Sequence, residues 1–436
     1  MNINNIGLEL HSLAKRLWPI NRSITGEGVR KTLLVLKELN PKLFINEVPS
    51  GTKVFDWEVP REWHVNDAYI ITPSGKKICN FKENNLHLLG YSVPVKKKIN
   101  LQELQKYLYS IPEQPSAIPF VTSYYEERWG FCLSQNERDL LEEGDYLVFI
   151  DTKLFNGSLT YGEIFIKGQS DKEIFLSTYI CHPSMANNEL SGIVVSSYIS
   201  NWLSNKMDNR FSYRFVFVPE TIGSIAYLSK HYIDLKKKVV AGFNVSCIGD
   251  ERSYSYLPSR NGNTISDKVA KHVLKWTDPN YITYSWLNRG SDERQYCAPG
   301  IDLPIASILR TKYGEYPEYH TSLDNLDNVV TPKGLHGGYW ALRRALELIE
   351  KNNIYKANFM CEPQMGKRGL YPTLSTKKSD EQIRVMMNFI SLCDGEHSLL
   401  DIAEKINHPA WELYELIEKL VAHDLITQVY TGCSAG

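Results

Sequence analysis

Apolar residues recur at helical spacing near the start of the chain, at Leu8, Leu10, Leu13 and Leu17. They recur again after the turn Ser23-Ile24-Thr25-Gly26, at Val29, Leu33, Leu34 and Leu36. This pattern predicts two amphipathic helices. From about Val48 to Lys167 the texture changes to short β-type runs at 54–57, 68–71, 77–81 and 146–150, broken by Pro49, Gly51, Pro60, Pro73, Gly75, Pro94, Pro112, Pro115 and Pro119. Such punctuation predicts a small β-rich module. From Lys172 strand and helix alternate. Runs at 174–180, 213–218, 239–247 and 303–309 are almost continuously apolar, as strands covered on both faces must be. Helical patterns lie at 192–203, 222–231, 266–276 and 332–350. The alternation predicts an α/β fold, a mostly parallel sheet flanked by helices. After Pro363, three helical patterns at 381–392, 399–406 and 410–423 precede a strand at 425–430, the outline of a winged helix. The expected organisation is therefore a discontinuous α/β domain at 1–50 and 160–358, an inserted β-rich domain at 51–159 and a winged-helix domain at 363–432.

Charge narrows the function. Lys and Arg total 49 against 50 Asp and Glu. A nucleic-acid or anionic-membrane surface needs an excess of positive charge, so neither partner is expected. The last helix of the terminal module carries Glu412, Glu415, Glu418 and Asp424 against Lys419, which argues specifically against DNA. Its apolar face at Leu413, Ile417, Leu420 and Val421 is expected to pack inward. Trp411 and Tyr414 are expected contact points, against the main domain or in a homo-oligomer. The eight cysteines are dispersed without a CxxC pair. No signal peptide is evident, nor any run approaching the roughly 18 apolar residues of a membrane helix. A cytoplasmic, reduced protein is expected. The 26 Tyr and 9 Trp imply either aromatic packing or rings that grip a ligand.

Ligands of open α/β sheets bind outside the carboxyl ends of the strands. The residues after each predicted strand are therefore the informative ones. They are His182, Asn187, Asn188 and Glu189 after the first, Glu220-Thr221 after the second, Cys247 and Asp250 after the third, and His320 and Asp324 after the last. Two histidines, a glutamate and several Asn, Asp and Cys side chains on one rim are what a catalytic zinc requires: N and O ligands, an open position and a carboxylate base.

These residues carry a resemblance. The run from His182 through Asn188 to Ser191-Gly192, then Glu220, Ser291-Asp292, Tyr319-His320-Thr321 and Asp324, resembles the zinc aminopeptidase family M28. Nearly the whole chain is similar to a bacterial group with an aminopeptidase-like domain associated with polysaccharide biosynthesis. The matching stretches include Trp18-Pro19-Ile20-Asn21-Arg22-Ser23-Ile24-Thr25-Gly26, Val59-Pro60-Arg61-Glu62-Trp63, Thr122-Ser123-Tyr124-Tyr125 and Cys181-His182-Pro183-Ser184. The resemblance implies an aminopeptidase-like fold interrupted by a β-rich domain and followed by a winged helix.

Departures from the M28 pattern bear on the chemistry. The Asp that orients the first His is Ser184 here, the metal-bridging Asp is Asn188, the Glu-Glu pair is Glu220-Thr221, and the later Asp ligand falls near Ser246-Cys247. Two cations about 3.5–4 Å apart need bridging carboxylates, so one zinc is expected rather than two. The resemblance implies a metal held by His182 and His320 with Asn188 as third ligand, and Glu220 as general base. Cys247 is an alternative soft ligand. Asp250, Asp292 and Asp324 are candidates to hold an imidazole N–H, and Arg294, Arg260 or Arg289 to fix a substrate carboxylate. The implied activity is hydrolysis of an amide bond in a small peptide or an acylated amino sugar. The alternative is a catalytically degenerate, metal-binding protein that recognises carbohydrate or peptide.

Overall fold

The computed structural model describes residues 5–370 and 377–429. The apolar runs after Lys172 join earlier ones in one eight-stranded sheet. Its strands are β1 (Phe44–Pro49), β2 (Ser158–Ile166), β3 (Glu173–Tyr179), β4 (Ser212–Val218), β5 (Val239–Asn244), β6 (Ser255–Leu257), β7 (Ile282–Thr283) and β8 (Ile305–Leu309). They lie in the order β1-β2-β4-β3-β5-β8-β6-β7. The central strands β4, β3, β5 and β8 are parallel. Antiparallel pairings of β1 with β2, β2 with β4 and β6 with β8 flank them. Every residue of β3 is buried, as both-face coverage demands. The chain steps from β3 to β4 on one side and returns to β5 on the other. The reversal therefore falls beside β3, where a ligand crevice is expected.

The helical faces follow the 3–4 spacing. In α1 (Ile6–Leu17) the buried residues are Ile6, Gly7, Leu10, Ala14 and Leu17, and in α2 (Glu27–Leu39) they include Val29, Leu33 and Leu36. Leu8 and Leu34 lie off these stripes and are exposed. Between β3 and β4, α3 (Ser191–Ser204) is buried nearly all round, the mark of a helix covered on several sides. Gly192 near its start permits this packing. A Cβ there would lie 2.4 Å from the Val245 carbonyl oxygen and 2.6 Å from Thr178 Oγ1. Alanine gains up to about 1 kcal/mol in helix propensity, but overpacking against fixed backbone costs about 1–3 kcal/mol. Gly192→Ala should therefore lower the urea midpoint at unchanged m-value; an unchanged or raised midpoint would contradict the close packing.

The expected strand at 239–247 stops at Asn244. Val245 N–H still donates to Ser177 O, but Cys247 takes a φ of 48° and the chain turns away. Residues 62–155 build a separate four-stranded antiparallel sheet, in which Glu62–Ile71 and Asp145–Phe155 are the long central pair. Residues 114–120, which lie in the chain between two strands of this sheet, are stitched to the loop that bears His320. Phe120 N–H donates to His320 O at 2.9 Å, Ser322 N–H to Ile118 O at 2.9 Å, and Gln114 Nε2 to Pro317 O at 2.7 Å.

By compactness the chain falls into two units, Met1–Asp267 with Asn280–Trp340, and Lys268–Pro279 with Ala341–Gly436. In the second, Ile354–Ala357 pairs antiparallel with both Asp394–Ser398 and Ile426–Val429, so its sheet begins before residue 363. The helices Lys377–Ser391, Leu399–Lys405 and Tyr414–Ala422 accompany it. Leu413, Ile417 and Leu420 are buried as expected, whereas Val421 is exposed. The Trp411 ring lies against His272 and under Arg344 within the same unit. Tyr430 and the residues to 432 lie outside the described residues. Among the described residues no helix is long and apolar enough to cross a membrane.

Candidate metal centre and active-site cleft

His182 stands three residues beyond β3, and its ring is clamped from behind. Nδ1 lies 3.0 Å from Glu189 Oε2, and the same carboxylate accepts the His182 backbone N–H. Glu189 is held in turn by Arg22, whose Nε lies 2.6 Å from Glu189 Oε1 and 3.1 Å from His182 O. Arg22 Nη1 donates to Leu17 O at 2.8 Å. Both side chains of this ion pair are fully buried. Glu189 reaches its place through a single π turn, Ala186–Leu190, wholly buried, which enters α3. Such turns recur at functional sites.

This arrangement corrects one expectation. The imidazole partner sought among Asp250, Asp292 and Asp324 is Glu189, which performs the task that Ser184 cannot. Asp324 instead accepts the backbone N–H groups of Asn187 and Asn188 at 2.7 and 3.0 Å and the Tyr316 hydroxyl at 3.0 Å. Asp250 binds Asn187 Nδ2 and the Thr311 amide and hydroxyl. Asp292 accepts the Thr221 N–H at 2.7 Å and the Ser224 hydroxyl at 2.8 Å. All three brace the loops that present ligands. Cys181, His182 and Glu189 also lie within 4.8 Å of one another, a grouping able to hold a cation. The Arg22 guanidinium already occupies that role.

The other ring nitrogen of His182 faces the cleft, with Nε2 3.6 Å from Glu220 Oε2. His320 comes from the opposite wall. Its ring centroid is 5.4 Å from that of His182, and its Nε2 is buried with no hydrogen-bond partner among the described residues. Two imidazoles sharing one tetrahedral zinc, with Zn–N bonds of about 2 Å, place their centroids about 5 Å apart. Burial, then the nearby His182, lowers His320 to about 3, so its ring is neutral and keeps a lone pair to offer. Asn188 is linked to His182 through Tyr179. Its Oδ1 accepts the Tyr179 hydroxyl, its Nδ2 is buried with no hydrogen-bond partner among the described residues, and the Tyr179 ring packs 5.2 Å from His182. An amide oxygen has two lone pairs, so one remains. Two imidazoles and the Glu220 carboxylate on one cleft are donor types that zinc takes.

Glu220 is the carboxylate of the cleft. Burial raises it above the ordinary range, while His182, Arg294 and the Ser291 hydroxyl oppose that rise. Asp292 is pushed up to about 8, by burial and then by Glu220. Cys181 receives the Glu220 backbone N–H on Sγ at 3.2 Å, and burial lifts its thiol to about 11. Ser184, Thr221, Cys247 and His320 all have φ between 44° and 64°. Strained non-glycine residues gathered at one rim mark a site whose surroundings over-determine it.

Other expected contributors are engaged with other partners, although Arg294 remains near enough to Glu220 to act on it through its charge. Cys247 is buried against Tyr313 and Tyr316. Arg294 donates to Ser291 O and Thr221 Oγ1. Arg260 pairs with Asp302, and Arg289 lies over Trp286. Glu293 is consumed by Asn244, Tyr313 and two backbone amides. Aromatic residues of the 51–159 region wall the cleft, which encloses about 320 Å³. Trp57, Phe120, Tyr124 and Tyr125 face His182, Glu220 and His320 across it. Trp63 is core instead, stacked on Tyr91.

Fold and site together define an aminopeptidase-like α/β domain followed by a winged helix. The chain belongs to the family described as Domain of unknown function (DUF4910), whose profile matches residues 11–352; a winged helix-turn-helix profile matches 353–428. It is 46% identical, over 93% of its length and 92% of the relative's, to a Clostridium acetobutylicum protein named "Putative polysaccharide biosynthesis protein with aminopeptidase-like domain". It resembles the crystal structure of a "putative peptidase" from the same organism, with a TM-score of 0.91 at 43% identity over 98% of each chain. The zinc aminopeptidase of Bacillus subtilis shares the fold at 11% identity, with a TM-score of 0.58 over 80% of this chain and 94% of that one.

Proposed function

We propose that the protein is a zinc-dependent amide hydrolase with a single metal held by His182 and His320, and Asn188 Oδ1 as the third ligand. One observation carries this reading. The buried, partnerless Nε2 of His320 shares a cleft with the Glu189-oriented His182 ring, and Glu220 stands 3.6 Å from the inner nitrogen of His182. When bound, zinc supplies Lewis-acid activation of the carbonyl and of the attacking water. Glu220 takes the proton of that water on its carboxylate and returns it to the leaving amine. Against burial, Cys181 and Glu189 raise His182 well above the ordinary range, so a metal at Nε2 would bind in exchange for a proton while Glu189 holds Nδ1. The Phe120 ring, 5.3 Å from both imidazoles, screens them from bulk water. The substrate is a small peptide or an acylated amino sugar, and the name of the Clostridium relative favours work on polysaccharide precursors.

A second reading is a metal-binding protein that has lost its chemistry. It is favoured by the neutral Asn188, whose oxygen is partly committed to Tyr179, and by Thr221 beside the base. Asn188→Asp distinguishes the roles of this position. Replacing the amide by a carboxylate should raise zinc affinity, read by calorimetric titration against a competing chelator. Unchanged affinity would remove Asn188 from the ligand set.

A further inference from the structure

We propose, resting on the hydrolase reading above, that the substrate is an uncharged N-acylated amino sugar whose sugar ring lies on the Trp57–Tyr125 pair. Two cavities meet at these rings. The inner one reaches His182, Glu220 and His320. The outer one, of about 470 Å³, opens between the same rings and Asp56, Arg61 and Asn156. Trp57 and Tyr125 stand edge to face, with centroids 5.7 Å apart, and are 39% and 57% exposed. Large rings left half-exposed where a polar cleft opens are what a ligand surface looks like. The apolar C–H face of a sugar packs on such rings, and its hydroxyls reach carboxylate and amide groups at the rim.

Charge selects against peptides. Among the described residues lining the inner cleft, Glu220 is the sole carboxylate, and there is no Lys or Arg. A peptide α-ammonium needs a carboxylate of its own, and Glu220 is committed to the proton. A terminal carboxylate needs a cation, and the nearby Arg294 is tied to Ser291 and Thr221. An uncharged acylamido group makes neither demand. Its acyl end fits among Phe120, Tyr124 and Ile222. The C–N bond breaks and the water oxygen forms the new C–O bond. Glu220 passes one water proton to the nitrogen, releasing a carboxylic acid and a free amino sugar.

The test uses the full chain as Glu220→Gln, with and without added zinc. The probes are the methyl glycosides of N-acetylglucosamine and N-acetylgalactosamine, with leucine amide as the charged comparison, read by saturation-transfer NMR titration. At least one glycoside should bind, its Kd rising at least tenfold with Trp57→Ala or Tyr125→Ala and recovering with Trp57→Phe. Leucine amide should not bind. Circular dichroism and zinc content should stay unchanged, because both rings are surface residues. Failure of both glycosides to bind, binding indifferent to both ring deletions, or binding of leucine amide would overturn the proposal. The hydrolase reading fails differently: wild-type protein would take up no zinc and cleave none of the probes, while ring-dependent glycoside binding persisted.

Discussion

Glu220→Gln should lower kcat/KM for amide hydrolysis by about 10²–10⁴-fold, the usual contribution of a positioned general base, and leave zinc bound. The amide keeps the size of the carboxylate and can still hydrogen-bond, but it cannot accept the proton of water. Glu220 stands 3.6 Å from His182 Nε2 but is not an assigned ligand, so zinc should stay bound while turnover collapses. Measuring kcat/KM alongside zinc content separates the two. Full activity in a zinc-loaded Glu220→Gln protein would rule out the assigned base. Loss of zinc in the variant would move Glu220 from base to ligand.

Arg22→Met and Glu189→Gln should damage both the fold and the metal centre. Removing one member of a fully buried ion pair strands the other charge, at a cost of about 3–5 kcal/mol. Arg22 and Glu189 are each buried, 2.6 Å apart, so most of that penalty should appear as a lowered denaturation midpoint. Glu189 also faces Nδ1 of His182 and so orients the ring. Disturbing such a partner lowers metal affinity about 10–100-fold. Zinc titration at a temperature where the variants remain folded measures this second effect by itself. An unchanged affinity in both would mean that the pair is structural and that His182 needs no orienting carboxylate.

His182, Glu220 and His320 were legible from the chain because each follows an apolar run that had to be a covered strand or its neighbouring loop. The parallel centre of the sheet then brings their loops together. Glu189 was legible only as one more polar residue after the first strand. Its actual direction depends on the π turn at Ala186–Leu190 and on Arg22, 167 residues earlier in the chain. Neither leaves a local pattern. The signal available was a charged pair in segments otherwise destined for burial: Arg22 between two apolar helices, and Glu189 just before a helix without a polar face. Asp250, Asp292 and Asp324 were found as polar groups at the right rim. Their partners are backbone amides together with the Asn187, Thr311, Ser224 and Tyr316 side chains, distant in sequence, which no local pattern reveals. The aromatic surplus of the 51–159 region had two meanings in the sequence. The hydrogen bonds from residues 114–122 to the His320 loop decide between them for Phe120, while Trp63 fills the core.

The central claim is one zinc held between His182 and His320. Its most direct measurement is metal content by mass spectrometry after zinc loading and desalting, for wild type, His182→Ala, His320→Ala and Glu220→Gln. The account predicts one zinc per chain in wild type and Glu220→Gln, and little or none in either histidine variant. No zinc in the folded wild type, or an undiminished content in His320→Ala, would contradict it.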